Sequence, residues 1–564
     1  MATMERSAEP RVEPSPARST GAGGEPGGRW ISIAAWVAVA IGVAMQVLHF
    51  SGGKPLWLDE AMVGLNIRHL SVRELMGPLD YDQVAPIGWL LLEKLLYGLP
   101  IPPEYSLRIL ALATGVGGLL IFRTLAFRAL GGLAALAAVV MYALSPAILR
   151  YASEVKPYGV DAFVAVGLLW IGYELLQRER SPWLLLGALW LGGLASVTVS
   201  FPVVYIMATV GLLVFLKRAM QRQWVEAGTL AVIGATWLAA FAFLYLTIYQ
   251  PQAASSTVTE GAGASFFDNY AFAPLPPRSL HDVIWFGGWA QRTIEFFFGE
   301  NARFGIVIAV AAGLIGFALR RSWAGALIIL PPVLAVLASA FHTYPVYDRL
   351  LLFLAPNLLL LIGYGIGVVA ARARPAIVPW AILLAMCVTG GIPYIQGNLR
   401  AQPQFSINNI YPLLDTLKAQ RKPGDVLYVS NEAIPAWLFY KARYGLSDMP
   451  WIAGDATDVV WPCFIQDFTH YRTQGRVWVM ILSVAERDPP VEDSIQIALG
   501  ARNLKSDVKL AATGWNMWLY SLDLSPMDPD FSPASLPEAP VRKCSPDVNA
   551  NRFDPPARAG VRAK

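Results

Sequence analysis

"WISIAAWVAVAIGVAMQVLHFSGGKPLWLDEAMVGLNI", residues 30–67, begins with a long apolar run and then places two adjacent acids, Asp59 and Glu60, among Leu, Trp, Met and Val. The run from Trp30 to Phe50 has about 20 residues, the length that a helix needs to span the hydrocarbon core of a bilayer. It lacks a convincing small-residue cleavage site, so we interpret it as a retained transmembrane helix rather than a signal peptide. The acids therefore lie just beyond the first span.

The composition extends this interpretation to the whole chain. Of 564 residues, 55% are hydrophobic and only 15% are charged, against roughly 25% charged in a typical soluble domain. The formal net charge of +4 is small for this length and the basic residues are scattered, so we expect no nucleic acid partner. Cys387, Cys463 and Cys544 have no CxxC spacing and predict neither a zinc site nor a disulfide framework. The composition predicts a polytopic membrane protein.

The membrane topology follows from segment length and from the positions of Lys and Arg. About eleven segments are apolar for long enough to cross a bilayer, near residues 31–50, 105–122, 130–148, 158–176, 182–199, 201–216, 227–249, 303–319, 323–341, 349–370 and 376–394. Every second connection is basic, with Arg123 and Arg128; Arg178 and Arg180; Lys217, Arg218 and Arg222; Arg320 and Arg321; and Arg372 and Arg374. Since basic residues near span ends are retained inside, we expect a multi-pass protein of the cell inner (plasma) membrane with a cytoplasmic N-terminus.

Two segments between the first and second spans are expected to lie along the outer membrane surface. "APIGWLLLEKLLYGLP", residues 85–100, is apolar, but Glu93 and Lys94 interrupt it. Counting it as a span would also invert every later basic connection. The stretch from 58 to 76 mixes apolar and charged residues in the same way. Both patterns predict interfacial helices.

The composition changes after the last span. "IYPLLDTLKAQRKPGDVLYVS", residues 410–430, predicts an amphipathic helix, a turn and a strand, while "GRVWVMIL" (475–482) and "NMWLYSLDL" (516–524) predict two more strands. We therefore divide the chain into a disordered cytoplasmic tail (1–29), a transmembrane domain (30–395), a small extracytoplasmic α/β domain (396–524) and a disordered Pro-rich tail (525–564).

The outer connections carry a polar set that membrane anchoring alone does not require. The first holds Asp59, Glu60, Asp80 and Asp82; the second is "LRYASEVKPYGVD", residues 149–161; the third is "HTYPVYDRL", residues 342–350. Acids, cations and phenols are therefore expected to converge at one end of the spans.

These motifs, taken in order, resemble those of the GT-C glycosyltransferases. The resemblance rests on the Asp-Glu pair beyond the first span, the two surface helices, Ser145-Pro146 with Tyr151, Glu154 and Tyr158 after the third span, and "RLLLFLAP" (349–356) opening a late span. It is strongest to the polyprenyl or dolichyl phosphate-sugar-dependent family of protein O-mannosyltransferases, aminoarabinose transferases and Rgt-type bacterial enzymes. It covers the topology of residues 30–395. It implies an all-α polytopic membrane fold of about eleven transmembrane and two juxtamembrane helices, followed by the small C-terminal α/β domain.

The resemblance also implies a reaction, an inverting transfer of one sugar from a polyprenyl-phosphate donor to a hydroxyl acceptor on the extracytoplasmic face. In that reaction one carboxylate takes the proton of the acceptor hydroxyl as it attacks C1. Asp59 occupies the position of the family's catalytic Asp and is the expected general base. Glu154 matches the family's second loop acid, and would orient the acceptor or hold Lys156 away from Asp59.

The leaving group of such a reaction is a lipid phosphate, which cations and hydroxyl donors stabilise. Lys156 and Arg349 are the candidates for this contact, Arg through bidentate bonding and Lys as a point charge. Tyr344, Tyr347 and His342 are supporting donors, and Glu60 is a candidate contact for sugar hydroxyls.

No cofactor is expected, because a monophosphate-linked sugar is already activated. Metal-dependent oligosaccharyltransferases of the wider GT-C group also use loop acids, so a divalent cation bound by Asp59 and Glu154 stays open as an alternative. The expected partners are the donor lipid, the bilayer and an acceptor that is a lipid, a glycan or a protein. The residues do not choose among these acceptors or identify the sugar.

Each candidate residue also has a structural alternative. Asp59 and Glu60 fit the first turn of a helix, and Glu154 and Lys156 fit a surface ion pair. Arg349 fits an interfacial residue that reaches lipid headgroups or pairs with Asp348, and the aromatic residues fit a membrane belt.

Two other functions remain open. A transporter or flippase of a lipid-linked glycan would need ionisable residues near the bilayer midplane or broken spans, whereas the acids and bases here lie at span ends. A non-catalytic partner in glycan assembly would have no reason to keep Asp59, Glu154, Lys156 and Arg349 together.

Overall fold

The computed structural model describes residues 26–255, 271–320, 322–399, 408–454, 476–482, 508–514 and 517–523. Most of the predicted N-terminal tail, the whole Pro-rich tail, Cys463 and Cys544 lie outside these ranges. The predicted domain boundaries at 395 and 524 border on such segments and stay predictions.

Apolar helices form the main body of the protein. Within the described residues, nine are long and apolar enough to cross a membrane: Gly28–Ser51, Pro103–Ala129, Tyr158–Gln177, Val203–Met220, Trp224–Ala254, Glu300–Arg320, Trp323–Ala340, Asp348–Ala370 and Ile377–Gln396. The two remaining predicted spans correspond to the shorter apolar helices Gly132–Leu144 and Trp183–Val199. A helix satisfies its own backbone hydrogen bonds, which is why apolar segments of this length adopt it in a bilayer. The predicted membrane fold is confirmed.

The α-helices are numbered in chain order: α1 (Pro26–Ser51), α2 (Leu58–His69), α3 (Ile87–Tyr97), α4 (Pro103–Ser106), α5 (Ile109–Ala129), α6 (Gly132–Leu144), α7 (Pro146–Tyr151), α8 (Tyr158–Gln177), α9 (Trp183–Val199), α10 (Val203–Met220), α11 (Trp224–Leu244), α12 (Gln250–Ser255), α13 (Leu280–Phe298), α14 (Arg303–Arg320), α15 (Trp323–Ala340), α16 (Ala355–Ala370), α17 (Ile377–Val388), α18 (Ile392–Leu399), α19 (Tyr411–Gln420) and α20 (Ile434–Tyr440). Short 3₁₀ segments include Asp348–Leu354, which leads into α16.

Small residues allow the helices of the body to approach closely. A Cβ atom on Gly365 of α16 would lie 1.8 Å from the carbonyl oxygen of Ala309 in α14, and one on Gly363 would lie 2.6 Å from Cβ of Ala138 in α6. Glycine is thus required at both positions. Close backbone contact of this kind is a common source of association between helices in membranes.

The basic connections meet at one end of the body. Glu174 at the end of α8 pairs with Arg128 at 3.0 Å and with Arg178 at 3.2 Å. The ammonium of Lys217 donates to the carbonyl of Leu176. The connections after the second, fourth and sixth predicted spans therefore share one end. The connections that carry Asp59, Glu154 and Arg349 lie at the other end.

Three helices pack at this other end. The predicted surface helices are α2, which stops at His69 and is shorter than the predicted segment to 76, and α3. The sequence analysis placed no helix in the region now occupied by α13. Its first turn is capped by Ser279, whose side chain accepts a hydrogen bond from the amide of Asp282. This local signal was present in the sequence.

A five-stranded sheet follows the last span. Its strands are β1 (Val426–Val429), β2 (Trp451–Ala453), β3 (Arg476–Leu482), β4 (Val508–Gly514) and β5 (Met517–Asp523), in the order β2-β1-β3-β5-β4. β1 pairs in parallel with β2 and β3, and β5 is antiparallel to β3 and β4. The three predicted strands are β1, β3 and β5; β2 and β4 were not predicted.

The sheet unit is attached to the segment that carries Asp59. The hydroxyl of Tyr440 accepts a hydrogen bond of 2.8 Å from the amide of Leu56, three residues before Asp59. Glu104, at the start of α4, pairs with Arg443 at 2.6 Å and accepts a hydrogen bond of 2.9 Å from Tyr411. Leu56 and Glu104 of the helical body are both buried. The helical body and the sheet unit therefore pack together at this end.

Candidate active site

Three connections that are far apart in the sequence meet at Asp59. Its Oδ2 atom lies 3.1 Å from Nη1 of Arg349 and 3.8 Å from Nζ of Lys156. The Asp59 side chain keeps 22% of its surface exposed. A carboxylate and two cations therefore face a common accessible space.

The segment 154–157 carries Lys156 into this space. The backbone amide of Lys156 donates a hydrogen bond of 2.8 Å to the carbonyl of Glu154, which makes a tight turn. Its ammonium also donates to Oε1 of Gln83, at 3.1 Å. Burial lowers the pKa of Lys156 below its ordinary value, while the charge of Asp59 opposes this shift.

Arg349 reaches Asp59 from the turn before α16. Asp348 has φ 34°, a left-handed conformation that is uncommon for a residue other than glycine. The guanidinium lies 6.0 Å from the ring centre of Trp57 and 5.8 Å from that of Tyr158, distances at which a cation is attracted to an aromatic face. Nε1 of Trp57 is buried and has no hydrogen-bond partner among the described residues. The indole is therefore a donor available beside Arg349.

Glu60 lies beneath this space and is fully buried. Its Oε2 atom is 2.6 Å from Nη2 of Arg108 and accepts from the amide of Trp57 at 3.2 Å. Its Oε1 atom accepts from the amide of Val155 at 2.7 Å. Both oxygens are used within the protein, so Glu60 positions the site and does not face a sugar in this conformation.

Glu154 lies two residues before Lys156 and pairs with a different cation, Arg150. Nε of Arg150 donates to its Oε1 atom at 2.6 Å. Its Oε2 atom is buried without a hydrogen-bond partner among the described residues. Burial raises the pKa of this carboxyl, and the guanidinium of Arg150 opposes the rise.

The three aromatic candidates are placed differently. The hydroxyl of Tyr344 donates to the carbonyl of Leu350 at 2.7 Å, and its ring packs on Phe353. This holds the turn that carries Arg349. Tyr347 is half-buried two residues before Arg349. His342 is exposed, and its ring lies 4.7 Å from that of Phe272.

The two acids considered for a divalent cation, Asp59 and Glu154, both lie beside cationic side chains. Among the described residues, no group of three or more His, Cys, Asp or Glu side chains could hold a metal ion. Asp59 and Glu154 each face at least one cationic side chain, which would repel a metal ion. No step of the chemistry below uses a metal.

Several residues of the site were missed by the sequence analysis. Arg108, Trp57 and Gln83 were not singled out, although each contacts a predicted site residue. Arg108 gave one signal, because a basic residue at the outer end of a span departs from the bias that otherwise fits the chain. Gln83 gave none, since its contact joins distant segments.

Solved structures similar to this chain include the following two. ArnT from Cupriavidus metallidurans bound to undecaprenyl phosphate is 14% identical over 87% of this chain and 98% of that protein, with a TM-score of 0.46. The oligosaccharyltransferase AglB from Archaeoglobus fulgidus, with an inhibitory peptide and a dolichol-phosphate, is 11% identical over 80% of this chain and 69% of that protein, with a TM-score of 0.45. No family model and no curated protein matches the sequence. The likeness to both structures is distant.

Proposed function

We propose that this protein is a membrane glycosyltransferase that moves one sugar from a polyprenyl-phosphate donor to a hydroxyl acceptor. The observation that carries the proposal is the meeting of Asp59 with Lys156 and Arg349 in a partly open space. A proton acceptor next to two phosphate-binding cations is the set that such a transfer needs.

Lys156 and Arg349 bind the phosphate of the donor in this proposal. Both cations face Asp59, and a phosphate that enters between them competes with its carboxylate for their charge. As the bond between C1 and the phosphate oxygen breaks, negative charge grows on the leaving phosphate. The two cations stabilise that charge most in the transition state. Tyr347 and His342 are assigned as supporting donors, and the buried indole of Trp57 lies beside Arg349.

Asp59 acts as the general base. The acceptor oxygen attacks C1 from the face opposite the phosphate, and its proton passes to the Asp59 carboxylate. The products are the glycosylated acceptor with inverted configuration and the free polyprenyl phosphate. Glu154 is assigned to orienting the acceptor, since its Oε2 atom has no partner among the described residues.

The basic end of the body supports a proposed location for the reaction. Basic connections are retained in the cytoplasm, so we place the Asp59 end and the sheet unit on the extracytoplasmic face of the inner membrane. In this assignment residues 30–395 form the catalytic domain and residues 396–524 the smaller outer domain.

Transfer of label from radiolabelled polyprenyl-phosphate sugars to a membrane extract tests the proposal. Asp59→Asn keeps the size of the side chain but removes the proton acceptor, so transfer should fall at least about a hundredfold. Asp80→Asn is the matched control, because Asp80 lies in the same connection and its backbone bonds to Asn66. Equal transfer by the native protein and Asp59→Asn would exclude Asp59 as the base. Label that crosses sealed vesicles without covalent attachment would favour a transporter.

A further inference from the structure

A second group of cations and hydroxyls adjoins Glu154. We call it the Arg150 cluster, and it consists of His49, Lys54, Arg150, Ser153 and Tyr394. Its ion pair is with Glu154, whereas Lys156 and Arg349 pair with Asp59. The protein thus presents two carboxylates, each with its own cations, on neighbouring segments.

Hydrogen bonds order this cluster. Nζ of Lys54 lies 3.1 Å from Nε2 of His49, and the Tyr394 hydroxyl lies 3.3 Å from the same atom. A protonated Lys54 can only donate, so Nε2 accepts and Nδ1 carries the imidazole proton. Nδ1 then donates to Oγ of Ser153 at 2.6 Å, and Ser153 donates to the carbonyl of Arg150 at 3.3 Å. The positions of the two cations are therefore linked.

Glu154 acts on both cations of the cluster. Nε of Arg150 lies 2.6 Å from its Oε1 atom, and its charge opposes the lowering of the pKa of Lys54. The neighbouring Glu60 pairs with Arg108. Among the described residues, the terminal Nη atoms of Arg150 have no hydrogen-bond partner, and 35% of its side chain is exposed. These atoms offer the planar donor pair that suits a phosphate oxygen pair.

Unpartnered polar atoms line the buried side of the cluster. Gln46 is fully buried, one turn before His49 in α1, and both its amide atoms lack a partner among the described residues. A Cβ atom on Gly115 would touch both Oε1 of Gln46 and Cβ of Ala152, so Gln46 lies beside the segment that leads to Ser153. Buried polar atoms are almost always satisfied. Gln46 and Oε2 of Glu154 are therefore polar atoms left to be satisfied by a ligand or by water.

We propose that the Arg150 cluster binds a phosphate monoester carried by the acceptor. The inference rests on the proposed function, and it narrows the acceptor to an anionic lipid or glycan. Arg150 and Lys54 hold the phosphate, and Glu154 faces the adjoining hydroxyl. The donor phosphate occupies Lys156 and Arg349, so the sugar lies between two separately anchored substrates.

Binding of two phosphate probes to the purified full-length protein tests this inference. Decyl phosphate represents a lipid-borne monoester and ribose 5-phosphate a soluble one, and titration calorimetry counts the sites for each. We expect two phosphate sites for at least one probe. Lys54→Met should weaken one of them about tenfold or more, as expected for the loss of a charge-assisted bond, and Lys156→Met should weaken the other.

Three further variants test whether the second phosphate site depends on the charge and shape of the cluster's cations. Lys54→Arg keeps the charge and should retain both sites. Arg150→Lys keeps the charge but loses the planar donors, and should weaken the same site as Lys54→Met. Lys418→Met removes an exposed cation of α19, which contributes no residue to the cluster, and should change neither site.

The outcomes separate this inference from the proposed function. A single phosphate site, or two sites that both survive Lys54→Met, would overturn the phosphate subsite even if sugar transfer is observed. Two sites without any sugar transfer would instead count against the glycosyltransferase and leave the subsite standing. A second site seen only with decyl phosphate assigns a lipid acceptor, and one seen with both probes a soluble glycan phosphate.

Discussion

Glu60 Oε2 and Arg108 Nη2 lie 2.6 Å apart with both side chains buried, and Glu60 is the chain neighbour of Asp59. Glu60 also accepts the amide hydrogen bond of Val155, next to Lys156. The pair thus ties together α2, the start of the second span and the turn that carries Lys156. A buried ion pair is not by itself strong evidence for stability, but here it fixes the positions of two functional side chains.

Breaking this pair from one side should be costly. Glu60→Ala leaves the Arg108 guanidinium buried without its partner, and the free energy of unfolding should fall by about 3–5 kcal/mol. The double variant Glu60→Ala/Arg108→Met removes both charges and should recover much of this loss. The variants are heated in detergent, and the fraction of protein that remains monomeric at each temperature is compared with that of the native protein. A double variant less stable than Glu60→Ala would contradict the assignment.

Donor binding should depend on Lys156 and Arg349 more than acceptor binding does. Lys156→Met and Arg349→Gln each remove a charge-assisted bond to phosphate, so the KM for the donor should rise about tenfold or more. The KM for the acceptor should change little. Lys156→Arg keeps the charge and should lie closer to the native protein. If the donor KM is unchanged in both Lys156→Met and Arg349→Gln, the two residues do not bind the donor phosphate and have a structural role.

Phosphate binding at the Arg150 cluster should depend on pH through Lys54. Burial, and then the charge of Arg108, lower the pKa of Lys54 to about 8 from an ordinary value of 10.5. Glu154 and Glu60 oppose this shift, and Arg150 adds to it. Because the protonated ammonium binds phosphate, affinity should fall as the pH rises through about 8. A monoester gains its second charge near pH ~6, so binding should be strongest between these values.

The variant Lys54→Arg provides the control for this pH dependence. Arginine stays protonated throughout this range, so the fall near pH 8 should disappear while the rise at lower pH remains. Calorimetric titration of decyl phosphate from pH 5 to 10 measures both limbs. A native protein whose affinity stays constant above pH 8 would show that Lys54 does not take part.

The contact between Tyr440 and Leu56 should affect both stability and catalysis. Tyr440→Phe leaves the buried amide of Leu56 without its acceptor, which costs about 1–3 kcal/mol. Because Leu56 lies three residues before Asp59, kcat should fall while the KM for the donor stays near its native value. Tyr444→Phe is the matched control, since Tyr444 is half-buried and lies in the same region. Equal stability of the two variants would argue against the contact.

The parts of the structure that depend on local pattern could be predicted from the sequence. Apolar length located the spans, mixed charge located α2 and α3, and short runs of apolar, β-branched or aromatic residues located β1, β3 and β5. Asp59, Lys156 and Arg349 could be grouped because spans of known direction bring alternate connections to one end. β2 is only three residues long, too short to give a periodic signal.

Contacts between distant segments could not be predicted in this way. Glu60 looked like a polar side chain available to a substrate, and only the position of Arg108 shows that its charge is already neutralised. Tyr344 shares the aromatic character of a binding residue, but its hydroxyl is used by the carbonyl of Leu350. The Arg150 cluster draws on α1, α7 and α18, and no spacing in the sequence indicates that these helices meet.

The hydrogen bond between Leu56 and Tyr440 joins residues 384 positions apart. The ribosome therefore completes the partner of the Asp59 segment only after every span has been made. A nascent chain that has inserted its helices still lacks the support of its own base. Synthesis as far as Tyr440 is thus needed before the proposed enzyme has this support for its base, and a shorter nascent chain would consume the lipid carrier less efficiently.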